Sequence, residues 1–498
     1  MPKRCFACSD CRAICAECKN QTLWNSRTDC QQKGRRARSD APYQHSHLVV
    51  SFFGFVCLVD QISFSAVARR SSLGAESRRV MRPVYLIAGG ITKFAKAHPD
   101  QDFRLMVREA FDYALADLDG TLAPADIDGS VISYFSEHFT YQAMAGAMVQ
   151  DFLGLCPKPH VRIEGGGATG GLCLQQAWES IASGRYEVAA AMGFETMSHV
   201  ETAKGNELIA LASDTNFDFP VGGYYNGYYA MMVVRHMHEF GTTEEQLARI
   251  AVKNHNNACH NPYAQEHLAL TIEDVMGSGY IAWPLKRHDI CVMSDGAAVC
   301  FLASEAAARK YCKNPIRITG IGADSDCMRF ADRPHGKVPL LPHEQESDYK
   351  DLKYPGVHSF RAGRMAALQA YKMVGVTNPL EELDVIELHD AYSSSELQTY
   401  EDLGLCKYGD GGRFIDEGHP TLQGKLPVNA SGGLLACGHP VGATGLMQAV
   451  TMLWQLQGTI PKHFGNDKLQ VPDARRGLIH SHAGTGAYVS VTILEKEA

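Results

Sequence analysis

The sequence predicts an α/β protein made of two related halves, and three observations predict it. Apolar strand-like runs alternate with helix-like segments from residue 84 to the end of the chain. The pattern restarts near Ile316. The tripeptides Ala168-Thr169-Gly170 and Ala443-Thr444-Gly445 each follow a Gly-rich turn and each open a long helix. Two copies of one pattern argue internal duplication.

In the first half, residues 84–91 (VYLIAGGI) read as a buried strand ending in glycines, and 105–118 carry helical apolar spacing. Residues 126–134 and 161–163 are further strands, the second running into the turn EGGGATGG and a helix over 172–184. Residues 188–193 and 297–303 supply two more apolar strands. The second half repeats this with a strand at 316–321, a helix at 361–374, and a strand at 383–388. Residues 427–429 lead into a Gly-rich loop and a helix over 443–457, and strands at 478–481 and 489–494 close the chain. The expected division is 1–80 as a basic Cys-containing extension, 82–310 as the first half with a loop insertion at about 200–290, and 311–498 as the second half.

Composition narrows the function class. The chain has 498 residues, enough for a large core in two or more domains, and a net charge of −8, so no basic face for nucleic acid is implied. Charge and cysteine are uneven. Residues 1–80 hold 13 Lys/Arg against 6 Asp/Glu, or +7, leaving −15 for the rest, and 7 of the 16 cysteines lie in the first 57 residues. The remaining cysteines are irregularly spaced, which suggests reduced thiols in an intracellular protein. Cys5, Cys8, Cys11 and Cys15 match the spacing of half a ferredoxin cluster motif, with Cys18 beyond. No Pro follows Cys15 and no second motif appears, so the expectation is no cluster, with a weak zinc site as the exception and an electron carrier as a distant alternative. Residues 47–59 are apolar but too short to span a membrane. The extension reads as poorly ordered. It is either an organellar targeting segment, which would make the compartment mitochondrial, or a stretch ahead of a natural start at Met81; the compartment is otherwise cytoplasmic.

Three loops carry candidate chemistry: His389-Asp390-Ala391-Tyr392 after a buried strand, Cys437-Gly438-His439-Pro440, and His480-Ser481-His482-Ala483-Gly484 before the last strand. Ligands of α/β sheets bind at strand ends such as these. N–H groups at helix starts stabilise an oxyanion or enolate above them. Neither Gly-rich turn is a P-loop, since no Gly-Lys-Ser/Thr follows the glycines.

These blocks resemble the thiolase superfamily over roughly residues 82–498. NASGGLLACGHPVGATGLMQA resembles its GHP block, ELHDAYSSSELQTYEDLGL the HDxF block of sterol-carrier-protein-type and archaeal-type members, and MSDGAAVCFLASE the strand that ends the first half. The resemblance implies a five-layer α/β/α/β/α fold of two duplicated halves. It implies an acyl-CoA thioester as substrate with no tightly bound cofactor, a homodimer or tetramer, and in archaeal-type members a small zinc-ribbon/OB-fold partner. It also implies that Gly167 stands where the family has its nucleophilic Cys, with Cys173 too far into the helix to replace it. His389 and His439 are then expected to hold the thioester oxygen. His480 falls at the place of the second acid/base Cys, the N–H groups of Gly167 and His482 form a second oxyanion hole, and Tyr392 replaces a Phe. Without the nucleophile, making or breaking a C–C bond beside the thioester by aldol-type chemistry is favoured over thiolysis. Decarboxylation of a malonyl-type thioester is a further possibility. A catalytically silent subunit that binds acyl-CoA or a partner is the alternative.

Overall fold

A computed structural model describes residues 81–333, 337–349, 357 and 359–497. The expectations for the N-terminal cysteines, the targeting segment and disorder over 1–80 lie outside the described residues.

The first half contributes strands β1 (Val84–Ile91), β2 (Gly129–Ser133), β3 (His160–Ile163) and β4 (Val188–Thr196), a small hairpin of β5 (Tyr280–Ala282) and β6 (Leu285–Lys286), and β7 (Asp295–Ser304). The second contributes β8 (Ile316–Ser325), β9 (Val385–Glu387), β10 (Arg476–Ala483) and β11 (Tyr488–Lys496). Apart from the hairpin they form one nine-stranded sheet in the order β3-β2-β4-β7-β1-β8-β11-β10-β9. The order is palindromic about the antiparallel β1–β8 pair. β2 lies parallel to β3 and β4 while β7 is antiparallel to β4, and β9 and β10 are parallel while β11 is antiparallel to β10. The partner expected beside β9 survives as a single parallel bridge between Ile386 and Val428. The duplication read from the sequence is thus present in the pairing itself. Strands β1, β4 and β7 are buried at every position, which explains their unbroken apolar runs.

Three apolar cores separate the layers. Helix α1 (Phe103–Ala116) sets Met106 and Phe111 against Tyr85, Ile132 and Phe301 on the outer face of the first half. Its N-cap Asp102 accepts from the amides of Arg104 and Leu105. Between the halves lie α2 (Thr169–Ala182) and, in the second half, the helix Val441–Gln457. Here Leu174, Trp178, Leu446 and Val450 pack among Val131, Ala191, Val385 and Ile479. On the far side Ala366 and Tyr371, from the helix Arg361–Val374, cover Leu478, Val491 and Ile493. The result is α/β/α/β/α, as expected.

The two Ala-Thr-Gly repeats are where the central helices touch. A β-carbon on Gly170 would lie 2.6 Å from the Gly445 amide nitrogen, and one on Gly445 would lie 2.2 Å from that of Gly171. Any larger residue would force these helices apart.

The segment at 200–290 differs from expectation. The sequence predicts a loop insertion here, but the segment is largely helical. It carries α3 (Tyr225–Phe240) and α4 (Glu244–Ala258), and α3 begins inside the supposed loop. The run of tyrosines and glycines at its start hid the helical spacing. The later helices are α5 (Arg361–Val374), α6 (Ser393–Asp402) and α7 (Val441–Gln457).

Candidate active site

Four backbone segments converge at the ends of β3, β9 and β10. They are the turn from β3 into α2, the loop from β9 into α6, the loop into α7, and the end of β10 itself. A buried polar network fixes the second against the third. Asp390 accepts from the amides of Leu434 (2.6 Å) and Leu435 (3.3 Å) and from the side chain of Asn254 (2.7 Å). Glu387 accepts from the Ser431 amide and hydroxyl at 3.0 and 2.6 Å, and the Leu388 amide donates to Asn429 at 2.8 Å. Glu396 receives Asn254, Asn429 and Lys253 at 2.6, 2.8 and 2.9 Å. Burial and the nearby Glu396 push the Asp390 carboxyl well above its usual range. With most of its polar atoms satisfied, such a network rigidifies the loops it joins.

The loops enclose a pocket with about 820 Å³ of empty space, its open mouth included. Gly167, His389, Tyr392, His439 and His482 all line it, together with Tyr229 and Cys291. The His389 ring lies 4.9 Å from that of His439 and 4.2 Å from that of His482. His480 is not among the lining residues, contrary to its expected place as the acid/base group. Its ring sits 5.5 Å from that of His482, and its Nδ1 accepts a long 3.5 Å bond from the His389 amide. The imidazole that β10 presents to the pocket is His482, whose expected contribution was only its N–H.

The surroundings of Gly167 also differ from expectation. A β-carbon there would lie 2.5 Å from the carbonyl oxygen of His482 and 3.0 Å from Cε1 of His389. The group of His482 that faces this α-carbon is therefore an acceptor, not the oxyanion-hole donor expected. Cys173 is fully buried, donates to the Val131 carbonyl at 3.3 Å and is pushed up to about 12 by burial, so it belongs to the core as expected.

Hydrogen bonds define the state of two imidazoles. Thr444 Oγ1 donates to the Pro440 carbonyl at 2.9 Å and lies 2.8 Å from His439 Nδ1. The hydroxyl proton being committed, Nδ1 must donate, which leaves Nε2 with a lone pair. His482 Nε2 lies 2.6 Å from the Tyr229 hydroxyl. Tyr229 stacks on Tyr392 at 4.0 Å, and the Tyr392 hydroxyl donates to Asn226 at 2.8 Å. Desolvation lowers His439 to about 4. His389 and His482 lie well below the usual histidine range, through burial first; His482, His439 and His480 add to the shift at His389, and His480 and His439 to that at His482. All three rings are therefore neutral near pH 7, each with one donor and one acceptor nitrogen.

Sequence reading gave no role to Thr444 or Cys291, and within the inserted segment it singled out neither Tyr229 nor Asn226. Tyr225 and Tyr229 sit one helical turn apart and both line the pocket, a spacing present in the sequence but masked by its glycines. Cys291 carried no signal. Burial pushes its thiol up to about 12. An outer cleft of about 2110 Å³ shares Asn206, Asn226, Ile290, Cys291, Val292 and Met293 with the pocket, and Lys96, His199 and Arg287 line it. The sequence showed no basic cluster because these three come from distant segments.

Comparison with known proteins gives a consistent picture. Residues 84–274 match the family model described as thiolase, N-terminal domain, and residues 345–496 match the thiolase C-terminal domain-like model. An acetyl-CoA acetyltransferase of Methanothermobacter thermautotrophicus is 36% identical over 417 residues, covering 84% of this chain and 100% of that protein. Human sterol carrier protein 2 is 32% identical over 429 residues, covering 83% of this chain and 72% of that one. Among solved structures, the Ltp2-ChsH2(DUF35) aldolase aligns with a TM-score of 0.66 at 25% identity, covering 84% of this chain and 98% of that one.

Proposed function

The chain belongs to the thiolase superfamily, and we propose that it breaks or forms a C–C bond next to a CoA thioester without a covalent acyl-enzyme, by aldol-type chemistry. The observation that carries this reading is the surface over Gly167. The space a nucleophilic side chain would need is taken by the His482 carbonyl and the His389 ring. The one thiol lining the pocket among the described residues, Cys291, is held protonated. Acyl transfer requires an acceptor atom on the enzyme. Proton transfer and enolate stabilisation do not.

In the cleavage direction the substrate is a 3-hydroxyacyl-CoA. His439 Nε2 takes the proton of the 3-hydroxyl. The bond between C2 and C3 then breaks, the carbonyl product leaves, and the electron pair passes into the thioester as an enolate. An N–H of neutral His389 donates to the enolate oxygen. The Tyr229–His482 pair gives a proton to C2, and the proton taken by His439 is released to solvent at the pocket mouth while the pair regains one there, so no net proton is consumed. General acid–base groups of this kind contribute about 10²–10⁴-fold and preorganised donors a comparable factor. The outer cleft, with Lys96 and Arg287 on its walls, offers a place for the anionic part of CoA. The aldolase among the similar structures carries the two-part name Ltp2-ChsH2(DUF35), which supports both the reaction class and a search for a small second protein. A homodimer and a zinc-ribbon/OB-fold partner belong to the same proposal, and light scattering of the purified chain with and without such a partner tests them.

The deciding experiment incubates purified protein with a panel of linear, branched and aromatic 3-hydroxyacyl-CoAs and follows release of the shortened acyl-CoA and the carbonyl product. Cleavage with no mass increase on the intact protein supports the reading. Thiolysis of 3-ketoacyl-CoA through an acyl-cysteine adduct sinks it. Binding of acyl-CoA with no turnover favours the silent-subunit alternative.

A further inference from the structure

Outside the reacting pocket, two histidines and a glutamate from three separate segments point at one another. His255 lies in α4, Glu266 in the segment after it, and His288 in the short turn Arg287–Asp289. One ligand atom from each lies within 4.8 Å of the other two, and His255 Nδ1 is 3.8 Å from a Glu266 oxygen. From the structure we infer that His255, Glu266 and His288 bind a divalent transition-metal ion of the zinc class.

Three observations support a ligand here over a chance cluster. His255 is 1% exposed, and among the described residues neither ring nitrogen has a hydrogen-bond partner. A buried imidazole with both nitrogens unpaired is costly, and metal ligation at one of them removes the cost. The donor set is the second. Two neutral imidazoles and one carboxylate, with room for water from the outer cleft that Glu266 lines, suit zinc-class ions rather than calcium or magnesium. Bond lengths of about 2.0–2.2 Å place tetrahedral donors roughly 3.4 Å apart, so these side chains need to close by about 1 Å. Charge is the third. Glu266 and Asp274 are the carboxylates facing the site, against Arg287 beside His288.

The site would clamp the backbone that holds His439. The amides of Gln265 and Glu266 donate to the carbonyls of Cys437 and Ala436 at 3.1 and 3.0 Å, and the His439 amide donates to Val292 at 3.2 Å. A metal joining α4, residue 266 and residue 288 ties down both strips that flank the GHP loop. The inference is independent of the reaction assigned above.

The test uses the full chain, stripped with a chelator and titrated with Co²⁺, whose visible bands report its ligands. The expected result is one equivalent bound by nitrogen and oxygen ligands, displaced by Zn²⁺, with a rise in Tm. Glu266→Gln and His288→Asn should each weaken binding at least tenfold while the stripped variants keep wild-type circular dichroism. Absence of stoichiometric binding, binding unchanged in both variants, or cobalt–thiolate charge-transfer bands alone, which would place the ion on cysteines, overturns the inference.

Discussion

The carbonyl oxygen of His482 stands 2.5 Å from where a β-carbon of Gly167 would be. Backbone cannot swing aside as a flexible side chain can, so even alanine must displace β10 or the turn into α2. Gly167→Ala is expected to destabilise by about 1–3 kcal/mol, the usual range for overpacking, read as a fall of a few degrees in Tm. Since Gly167 stands at the place of the family's nucleophilic Cys, the sequence alone suggests that a cysteine installed here is accommodated and acylated by short acyl-CoA. The geometry reverses that expectation: Gly167→Cys should show no acyl adduct by intact mass. An adduct would mean that the floor is plastic and that a nucleophile was simply lost.

His439 owes its tautomer to Thr444, and removing the hydroxyl releases it. Thr444→Val keeps the volume but leaves Nδ1 without its acceptor, so the lone pair is no longer confined to Nε2. We expect kcat to fall at least tenfold with Tm nearly unchanged. His439→Ala should cost about 10²–10⁴, the range for a general acid–base group. Steady-state kinetics beside thermal melts separate the two. Equal losses of Tm and activity in Thr444→Val would reduce Thr444 to a structural residue.

Much of this was legible in the sequence, for a physical reason. The buried strands β1 and β7 write themselves as unbroken apolar runs, and α5 runs over Arg361–Val374 as its sequence predicts. The loops bearing His389 and His439 were legible because glycines and strand ends mark where backbone approaches a ligand. Other features were not. His480 and His482 share one face of β10, and only packing decides which reaches the pocket; Phe360 lies 4.7 Å from the His482 ring and closes that side. Tyr229 and Thr444 act through contacts between segments far apart in the chain, which no local pattern encodes. The cluster of His255, Glu266 and His288 is likewise invisible before folding.

Tyr229 and Tyr392 stack face to face but differ in what their hydroxyls meet. That of Tyr229 reaches His482 at 2.6 Å, whereas that of Tyr392 is turned to Asn226. Tyr229→Phe should therefore lower kcat by one to two orders of magnitude, within the span of an acid–base contribution. Tyr392→Phe, which restores the ring usual in the HDxF block, should change it less than threefold. A reversed ranking would move the proton donor to Tyr392.

Thiol reagents should spare the activity. Cys156 and Cys327 are exposed among the described cysteines, and iodoacetamide should label them first. Cys291 lines the pocket but is pushed up to about 12, so almost no thiolate exists at pH 7. Cys291→Ser is expected to retain at least half of wild-type kcat, and peptide mapping should show slow alkylation at Cys291. Rapid labelling there with parallel loss of turnover would establish a thiol in the mechanism.

His480 separates the sequence-based expectation from the structural one most cleanly. Among the described residues its buried Nε2 has no hydrogen-bond partner and its Nδ1 makes only the long bond to the His389 amide, and it does not line the pocket. Burial holds its folded pKa at about 3, below the roughly 6.5 of an exposed histidine. Between those values the unfolded chain binds a proton that the folded chain does not. The titration of this histidine therefore costs nothing above pH 6.5 and costs stability progressively as pH falls below it. Buried Glu195, raised to about 8, and Glu387, raised to about 7, act in the opposite sense, lowering stability as pH rises from about 4.5 through their folded values. The whole-protein profile thus mixes both signs, and the difference between variant and wild type is the usable quantity. His480→Leu replaces an unsatisfied imidazole by an apolar side chain, a change that is nearly neutral or stabilising when the polar group lacks partners. The Tm of the variant should match or slightly exceed wild type at pH 7.5, and its advantage should grow steadily toward pH 5. Its kcat should stay within threefold of wild type. A loss of one hundredfold or more at unchanged Tm would return His480 to the acid/base role that its place in the sequence first suggested.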